Sequence, residues 1–221
     1  MDQARPTLLS WGANSCGQLG QNRKCEECVK PSKVEIDHLA TEELNVKSIS
    51  AGASHSFLLM HDGTVYGCGS NAKGQLVELS KEEMAFKMIP SLSKYKIKQI
   101  ATKWDTSYAV SWDGMCLAWG PNNFGQQGHC MADEKRINSA IHVVANRVKQ
   151  VSAGLRHFLV LHENGSVFSA GDGKKGQLGR IQSSDSLEKV PGLEGVVQIA
   201  CGQNFNLALT NEGKIFGWGC N

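Results

Sequence analysis

One ten-residue pattern recurs at a near-constant interval along this 221-residue chain, and a fixed period decides a fold before any local preference does. It reads Trp11-Gly12-Ala13-Asn14-Ser15-Cys16-Gly17-Gln18-Leu19-Gly20 and returns as Cys68-Gly69-Ser70-Asn71-Ala72-Lys73-Gly74-Gln75-Leu76. It then returns as Trp119-Gly120-Pro121-Asn122-Asn123-Phe124-Gly125-Gln126-Gln127-Gly128 and as Ala170-Gly171-Asp172-Gly173-Lys174-Lys175-Gly176-Gln177-Leu178-Gly179. Trp218-Gly219-Cys220-Asn221 opens a further copy. A second anchor precedes each later copy: Gly52-Ala53-Ser54-His55, Lys103-Trp104-Asp105-Thr106, Gly154-Leu155-Arg156-His157 and Gly202-Gln203-Asn204-Phe205. A third is an acidic or amide residue before glycine at Asp62-Gly63, Asp113-Gly114, Asn164-Gly165 and Glu212-Gly213. From Gly63 to Gly114, to Gly165 and to Gly213 the steps are 51, 51 and 48 residues.

Runs such as Ser56 to Met60 and Thr64 to Cys68 flank each third anchor. Asp-Gly or Asn-Gly between such runs predicts a tight antiparallel hairpin with both central residues at positive φ. A strand such as Val46 to Ser50 precedes the hairpin, and a more polar segment such as Pro31 to Ile36 precedes that. Pro31, Pro90 and Pro191 fall in this polar segment, and proline is tolerated chiefly at sheet edges, so it reads as the outer strand of the unit. Apolar runs such as Phe158 to Leu161 and Leu207 to Leu209 read as middle strands packing between neighbouring sheets. The fold class expected is all-β, with four-stranded antiparallel blades of a β-propeller. Repeats run about 7–66, 67–117, 118–168 and 169–216 as one domain over 1–221, with the start of another at 217–221.

Composition narrows the function classes. Hydrophobic residues make up 41% and charged residues 20%, enough for a real core. The formal charge of +2 is too balanced for the counterion release on which nonspecific nucleic-acid binding depends, so no nucleic-acid partner is expected. No apolar run reaches 18 residues and no apolar leader follows a basic start, which predicts no membrane span and a cytoplasmic or also nuclear location. In a reducing compartment the eight cysteines read as thiols.

The signature WGANSCGQLG with its glycine-x-x-histidine and Asp-Gly anchors, from Trp11 to Asn221, resembles the repeats of the RCC1 superfamily of seven-bladed β-propellers. The stretches WGANSCGQLG, WDTSYAV and AGLRHF are most similar to its cytoplasmic, secretion-regulating guanine nucleotide exchange branch. The resemblance implies a small GTPase or an exocyst-type trafficking protein as partner, and guanine nucleotide exchange as the activity, with no cofactor. Against the seven repeats it implies, the chain supplies just over four, so a partial array with two uncovered sheet edges is expected. The alternative is a scaffold that binds trafficking proteins without exchange.

Each chemical feature has a structural reading. Gly12, Gly17, Gly52, Gly63, Gly69, Gly114, Gly154, Gly165, Gly202 and Gly213 recur in register and read as turns, because a phosphate loop needs a helix behind it and usually a Lys-Ser/Thr end. Asn14, Asn71 and Asn122 are expected to bond local backbone. His55 and His157 share a position that Thr106 and Phe205 also fill, so they read as bonding backbone between blades, and no catalytic residue is assigned. Cys68, Cys116 and Cys201 read as core filling. Cys25 and Cys28 form a C-x-x-C in an insertion, but zinc needs four ligands and the only other pair suggested is His129 with Cys130, so no metal site is assigned. The places where a repeat breaks its own rule mark the candidate protein-binding surface: Lys103, Trp104 and Asp105, then Arg156, and Asp172 on a signature loop; packing of Trp104 into an adjacent blade and a plain solvated turn at Asp172 are the alternatives. Asp105 beside Trp104 is the residue expected to act as acidic wedge on a GTPase.

Overall fold

A computed structural model describes residues 7–34, 36, 45–129, 138–181 and 186–220. Five antiparallel sheets follow one another along the chain. The first pairs β1 (Leu9–Asn14) with β2 (Cys25–Lys33). The second runs β3 (Val46–Ala51), β4 (His55–Met60), β5 (Val65–Ser70), β6 (Glu82–Met88), and a short helix α1 (Pro90–Ser93) leads to the third. The third holds β7 (Ile97–Lys103), β8 (Thr106–Ser111), β9 (Cys116–Gly120) and β10 (Asn138–Ala145). The fourth holds β11 (Val148–Ala153), β12 (His157–His162), β13 (Val167–Gly171) and β14 (Glu188–Lys189). The last holds β15 (Val196–Cys201), β16 (Phe205–Thr210) and β17 (Ile215–Gly219). Meander sheets stacked at one period are propeller blades.

Three expectations are corrected at this level. The polar outer strand belongs to the preceding sheet: β2 pairs with β1 and not with β3, so a blade is closed by the strand that follows its signature loop. Of the three prolines assigned to outer strands, Pro31 alone lies in one; Pro90 opens α1, where its missing N–H costs nothing, and Pro191 follows β14 in a turn. The hairpins also differ from the two-residue form. Gly63 sits at φ +90 but Asp62 is not at positive φ, and Gly63 N–H donates to the Met60 carbonyl while Met60 N–H donates to that of Thr64. This is a three-residue loop with glycine at the left-handed position, which asks no left-handed backbone of the acidic residue.

The signature loop is stitched by its own side chains. Asn14, Asn71 and Asn122 each accept through Oδ1 from the N–H five residues on, at 3.1, 2.8 and 2.8 Å. Gln18, Gln75, Gln126 and Gln177 each accept through Oε1 from the N–H two residues back, at 2.7–2.9 Å. The same loops face the next sheet, where the Gln75 carbonyl accepts from Trp119 Nε1 at 2.7 Å and that of Gln177 from Asn206 Nδ2 at 2.7 Å. At the opposite end, the carbonyls of Gly63, Gly114 and Gly165 accept from Ile97, Val148 and Val196 N–H of the following sheet.

The glycine of each glycine-x-x-histidine anchor exists because an aromatic ring lies on it. A Cβ built on Gly154 would sit 2.0 Å from His157 Cε1, and one on Gly202 would sit 2.2 Å from Phe205 Cε1. Both histidines are buried and reach the next blade: His55 Nε2 shares a hydrogen bond with Ser107 Oγ at 3.0 Å, and His157 Nε2–H donates to Asn206 Oδ1 at 2.7 Å. The bonds go to side chains rather than to backbone.

Between sheets the middle strands interleave. Phe57, Leu59 and Val65 of one blade pack on Ala109, Leu117 and Trp119 of the next, and Tyr108, Val110 and Cys116 pack on Phe158, Val160 and Ala170. Each Val, Leu or Phe among them stabilises by roughly 2 kcal/mol on burial. Cys116 is buried in the second of these layers and Cys68 between the first two sheets with Val34, Leu58 and Phe86, and burial pushes the Cys116 thiol up to about 12. The terminal sheets leave one face uncovered. Ile215 is 71% exposed, while its equivalents Val65, Cys116 and Val167 are 0–1% exposed. Leu9 and Trp11 are exposed at the other end. Among the described residues no helix is long and apolar enough to cross a membrane.

Gly154→Ala is expected to cost about 2 kcal/mol by overpacking, and His157→Thr to relieve part of that, so that the double variant is more stable than the sum of the two by about 1 kcal/mol in urea unfolding. Additive losses would refute the ring-on-glycine contact. Burial also lowers His55 from 6.5 to about 4 against the opposing field of Asp105, and lowers His157. Unfolded chains therefore take up a proton below pH 6.5 that the folded chain refuses until about pH 4. Stability is complete above pH 6.5 and falls as pH drops through that window, by roughly 3 kcal/mol for His55. Urea midpoints at stepped pH check this, with His55→Gln flattening the slope.

Candidate protein-binding rim

The signature loops and the glycine-x-x-histidine loops lie at one end of every sheet, joined by backbone bonds: Ser70 N–H to the Ser54 carbonyl, Asp172 N–H to that of Arg156, and Cys220 N–H to that of Asn204, all 2.8–2.9 Å. The loops also bridge blades, since Ala53 N–H donates to the Trp104 carbonyl at 2.8 Å and Leu155 N–H to that of Gln203 at 3.0 Å. The candidate residues sit on this rim.

At Lys103 the anchor departs from its rule in a compensated way. Lys103 stands where the other copies have glycine, and Thr106 stands where they have a ring, so no ring presses on the Lys103 position. The loop keeps the length of the other anchors, with Lys103 paired to Thr106 as the anchor glycines are bonded to His55, His157 and Phe205. Trp104 takes the first of those two places at φ +52 and is 54% exposed. A left-handed backbone is unusual for a bulky side chain, and such outliers collect at binding sites. Lys103 is exposed beside it.

Asp105 is buried. Lys73 Nζ meets its Oδ2 at 2.6 Å, and Gln75 Nε2 donates to its Oδ1 at 3.3 Å. Its carboxylate therefore ties the preceding signature loop to this one. The same pair of positions meets again one blade on with different chemistry: the Arg156 guanidinium lies over the Phe124 ring, 4.2 Å from its centroid. Lys73 and Phe124 precede the same loop glycine, and Asp105 and Arg156 hold the same anchor position. An ion pair in one junction thus becomes a cation–π contact in the next. Sequence reasoning missed Lys73 and Phe124; the signal is a position that reads Cys16, Lys73, Phe124, Lys175 across aligned loops, with a partner about 32 residues on.

Arg156 and Asp172 come together through the Asp172 N–H bond, while the Asp172 Oδ1 accepts from Lys174 N–H at 3.1 Å and so shapes its own loop. Arg156 is exposed and Asp172 half-buried. The rim thus brings Lys103, Trp104 and Asp105 onto one loop and Arg156, Asp172 and Phe124 onto the next. Trp112, 63% exposed with Lys47 Nζ 4.7 Å from its ring centre, lies at the opposite, hairpin end.

Among the described residues no group of three or more His, Cys, Asp or Glu gathers as a metal site. His129 contacts Asn122 and His142, and Cys130 lies outside the described residues. The two buried anchor histidines are spent on the next blade. What the rim offers is shape, one exposed tryptophan and mixed charge, which is the chemistry of protein contact.

The chain is 31% identical over 242 residues to the secretion-regulating guanine nucleotide exchange factor of Bos taurus, covering 99% of this chain and 50% of that protein. It is 30% identical over 218 residues to the ultraviolet-B receptor UVR8 of Arabidopsis thaliana, covering 96% of this chain and 48% of the receptor. Among solved structures, Prp20p from Saccharomyces cerevisiae, which was studied for its binding to Gsp1p and histones, superposes with a TM-score of 0.82 at 27% identity over 99% of this chain and 55% of that one. The chain spans about half the length of these curated relatives. The family model of the RCC1-like domain matches residues 7–221, and the chain belongs to that family.

Proposed function

We propose that this chain is a protein-interaction propeller segment that presents its signature-loop rim to a small GTPase of the secretory pathway and promotes release of the bound guanine nucleotide. The observation that carries the reading is Trp104, held at φ +52 and 54% exposed on a rim whose equivalent residues are Ala53, Leu155 and Gln203. An exposed aromatic beside exposed Lys103 suits a hot spot. The kinship with a secretion-regulating exchange factor supports the partner class, and an exocyst-type trafficking protein is the further partner that this lineage suggests. Such a protein acts in the cytoplasm.

Exchange requires no covalent step. A factor that binds the nucleotide-free GTPase more tightly than the loaded one must, by linkage, weaken nucleotide binding by the same factor. Contacts near the phosphate and Mg²⁺ site supply that difference. Trp104 is the natural wedge, and Asp105 serves by holding Lys73 and the loop geometry beneath it.

A second reading, a scaffold without exchange, draws on one observation: the acidic side chain of the rim loop is already neutralised by Lys73, which leaves no free carboxylate there to displace Mg²⁺. Release of a fluorescent guanine nucleotide from a panel of small GTPases separates the two. Exchange predicts acceleration for at least one member and a loss of about tenfold or more with Trp104→Ala, a change that leaves the thermal midpoint in place because the side chain is exposed. No acceleration for any member removes exchange, and retained capture of a nucleotide-free GTPase in that case establishes the scaffold.

A further inference from the structure

Outside the rim, one pair of nucleophilic side chains is set in contact without any part in the blade junctions. Cys25 and Cys28 open β2, and a regular strand would place residues three apart on opposite faces. The ladder with β1 is broken at that point. Ala13 pairs with Glu27 and Asn14 with Cys25, so Glu26 is an extra residue. A bulge of one residue restores the two cysteines to the same face, and their sulfurs lie 3.2 Å apart.

The surroundings are polar and donate to sulfur. Asn14 Nδ2 donates to the Cys25 sulfur at 3.7 Å, and the Arg23 guanidinium donates to the Cys28 sulfur at 3.4 Å. The Cys28 thiol in turn donates to Gln21 Oε1 at 3.0 Å. Cys28 is buried and Cys25 is half-exposed. The segment is held from outside too, by Asn22 N–H on the Met84 carbonyl at 2.8 Å and by the Lys24–Glu82 ion pair. Among the described residues no third metal ligand joins the pair. Two thiols in contact, one reachable and one sheltered, form an attacking and resolving pair.

We propose that Cys25 and Cys28 are a reversible redox site that closes to an intramolecular disulfide by exchange with a low-molecular-weight disulfide of the glutathione type. The Cys25 thiolate attacks one sulfur of glutathione disulfide; a Cys25–glutathione bond forms, the glutathione S–S bond breaks, and one glutathione leaves as thiolate. That thiolate takes a proton and departs as thiol. The Cys28 sulfur then attacks Cys25 of the mixed disulfide, gives up its own proton, and expels the second glutathione. The two protein thiols lose two electrons together and one glutathione disulfide is reduced to two thiols. Closure brings the sulfurs from 3.2 Å to a bond of about 2.05 Å.

Tryptic cleavage tests the pair in isolation, because Cys25 to Lys33 is a single peptide, protected from cutting at Lys30 by Pro31, and holds no other cysteine. The folded chain is equilibrated across reduced-to-oxidised glutathione ratios, quenched in acid and alkylated. The expected result is that this peptide loses both alkyl groups in one two-electron transition and regains them with dithiothreitol, while exposed Cys220 carries single glutathiones. Cys28→Ser is expected to trap Cys25 as the glutathione mixed disulfide, and Cys25→Ser to slow modification of the remaining sheltered thiol by about tenfold. A peptide that stays doubly alkylated at the most oxidising ratio, or that carries two glutathiones and no internal bond, overturns the proposal on the unmutated chain, whatever the stability of the variants.

Discussion

The arrangement depends on a ring lying flat on a glycine. In each regular junction the anchor glycine has no Cβ, a histidine or phenylalanine occupies the space, and the two histidines extend across to a polar side chain of the following blade. Through those two histidines the anchor ties one blade to the next, beside apolar middle strands that interleave and loop carbonyls that meet donors of the following sheet. Because each blade touches only its neighbours, stability accumulates junction by junction. The price is that buried histidines must stay neutral.

The one junction that lacks the ring shows what the contact otherwise imposes. With Thr106 in place of the ring, glycine is no longer required, Lys103 can stand there, and Trp104 takes a left-handed backbone and is exposed. The tie to the neighbour passes to Lys73 and Asp105, and one blade on to Phe124 and Arg156. Position-specific chemistry on the rim is therefore coupled to packing beneath it. A propeller can diversify its binding face this way while the sheets stay in place, and kinship with both a nucleotide exchange factor and a light receptor fits a rim that varies over a constant stack.

The blade architecture was legible because three anchors agree in register, and periodicity survives when individual residues do not. Asn14, Asn71 and Asn122 could be assigned to loop backbone from position alone, since an Asn at a turn has few other partners. The cut between blades was not legible: a repeat can be divided anywhere along its period, and only hydrogen bonding shows that β2 closes on β1. Proline misled for a related reason, as Pro90 and Pro191 satisfy the same missing donor at a helix start and in a turn. Asp105 reads in the sequence as an acidic wedge toward a partner because its own partner Lys73 belongs to the previous repeat, and a pairing across repeats leaves no local trace.

The most direct measurement is hydrogen–deuterium exchange of this chain with and without a nucleotide-free small GTPase that it captures. A partner seated on the rim protects residues 102–106, 122–126, 154–157 and 172–176, and leaves the hairpin turns at 61–64, 111–115 and 162–166 exchanging as in the free chain. Protection confined to those turns and to Trp112, with the rim unchanged, would contradict the account and move the binding face to the opposite end of the blades.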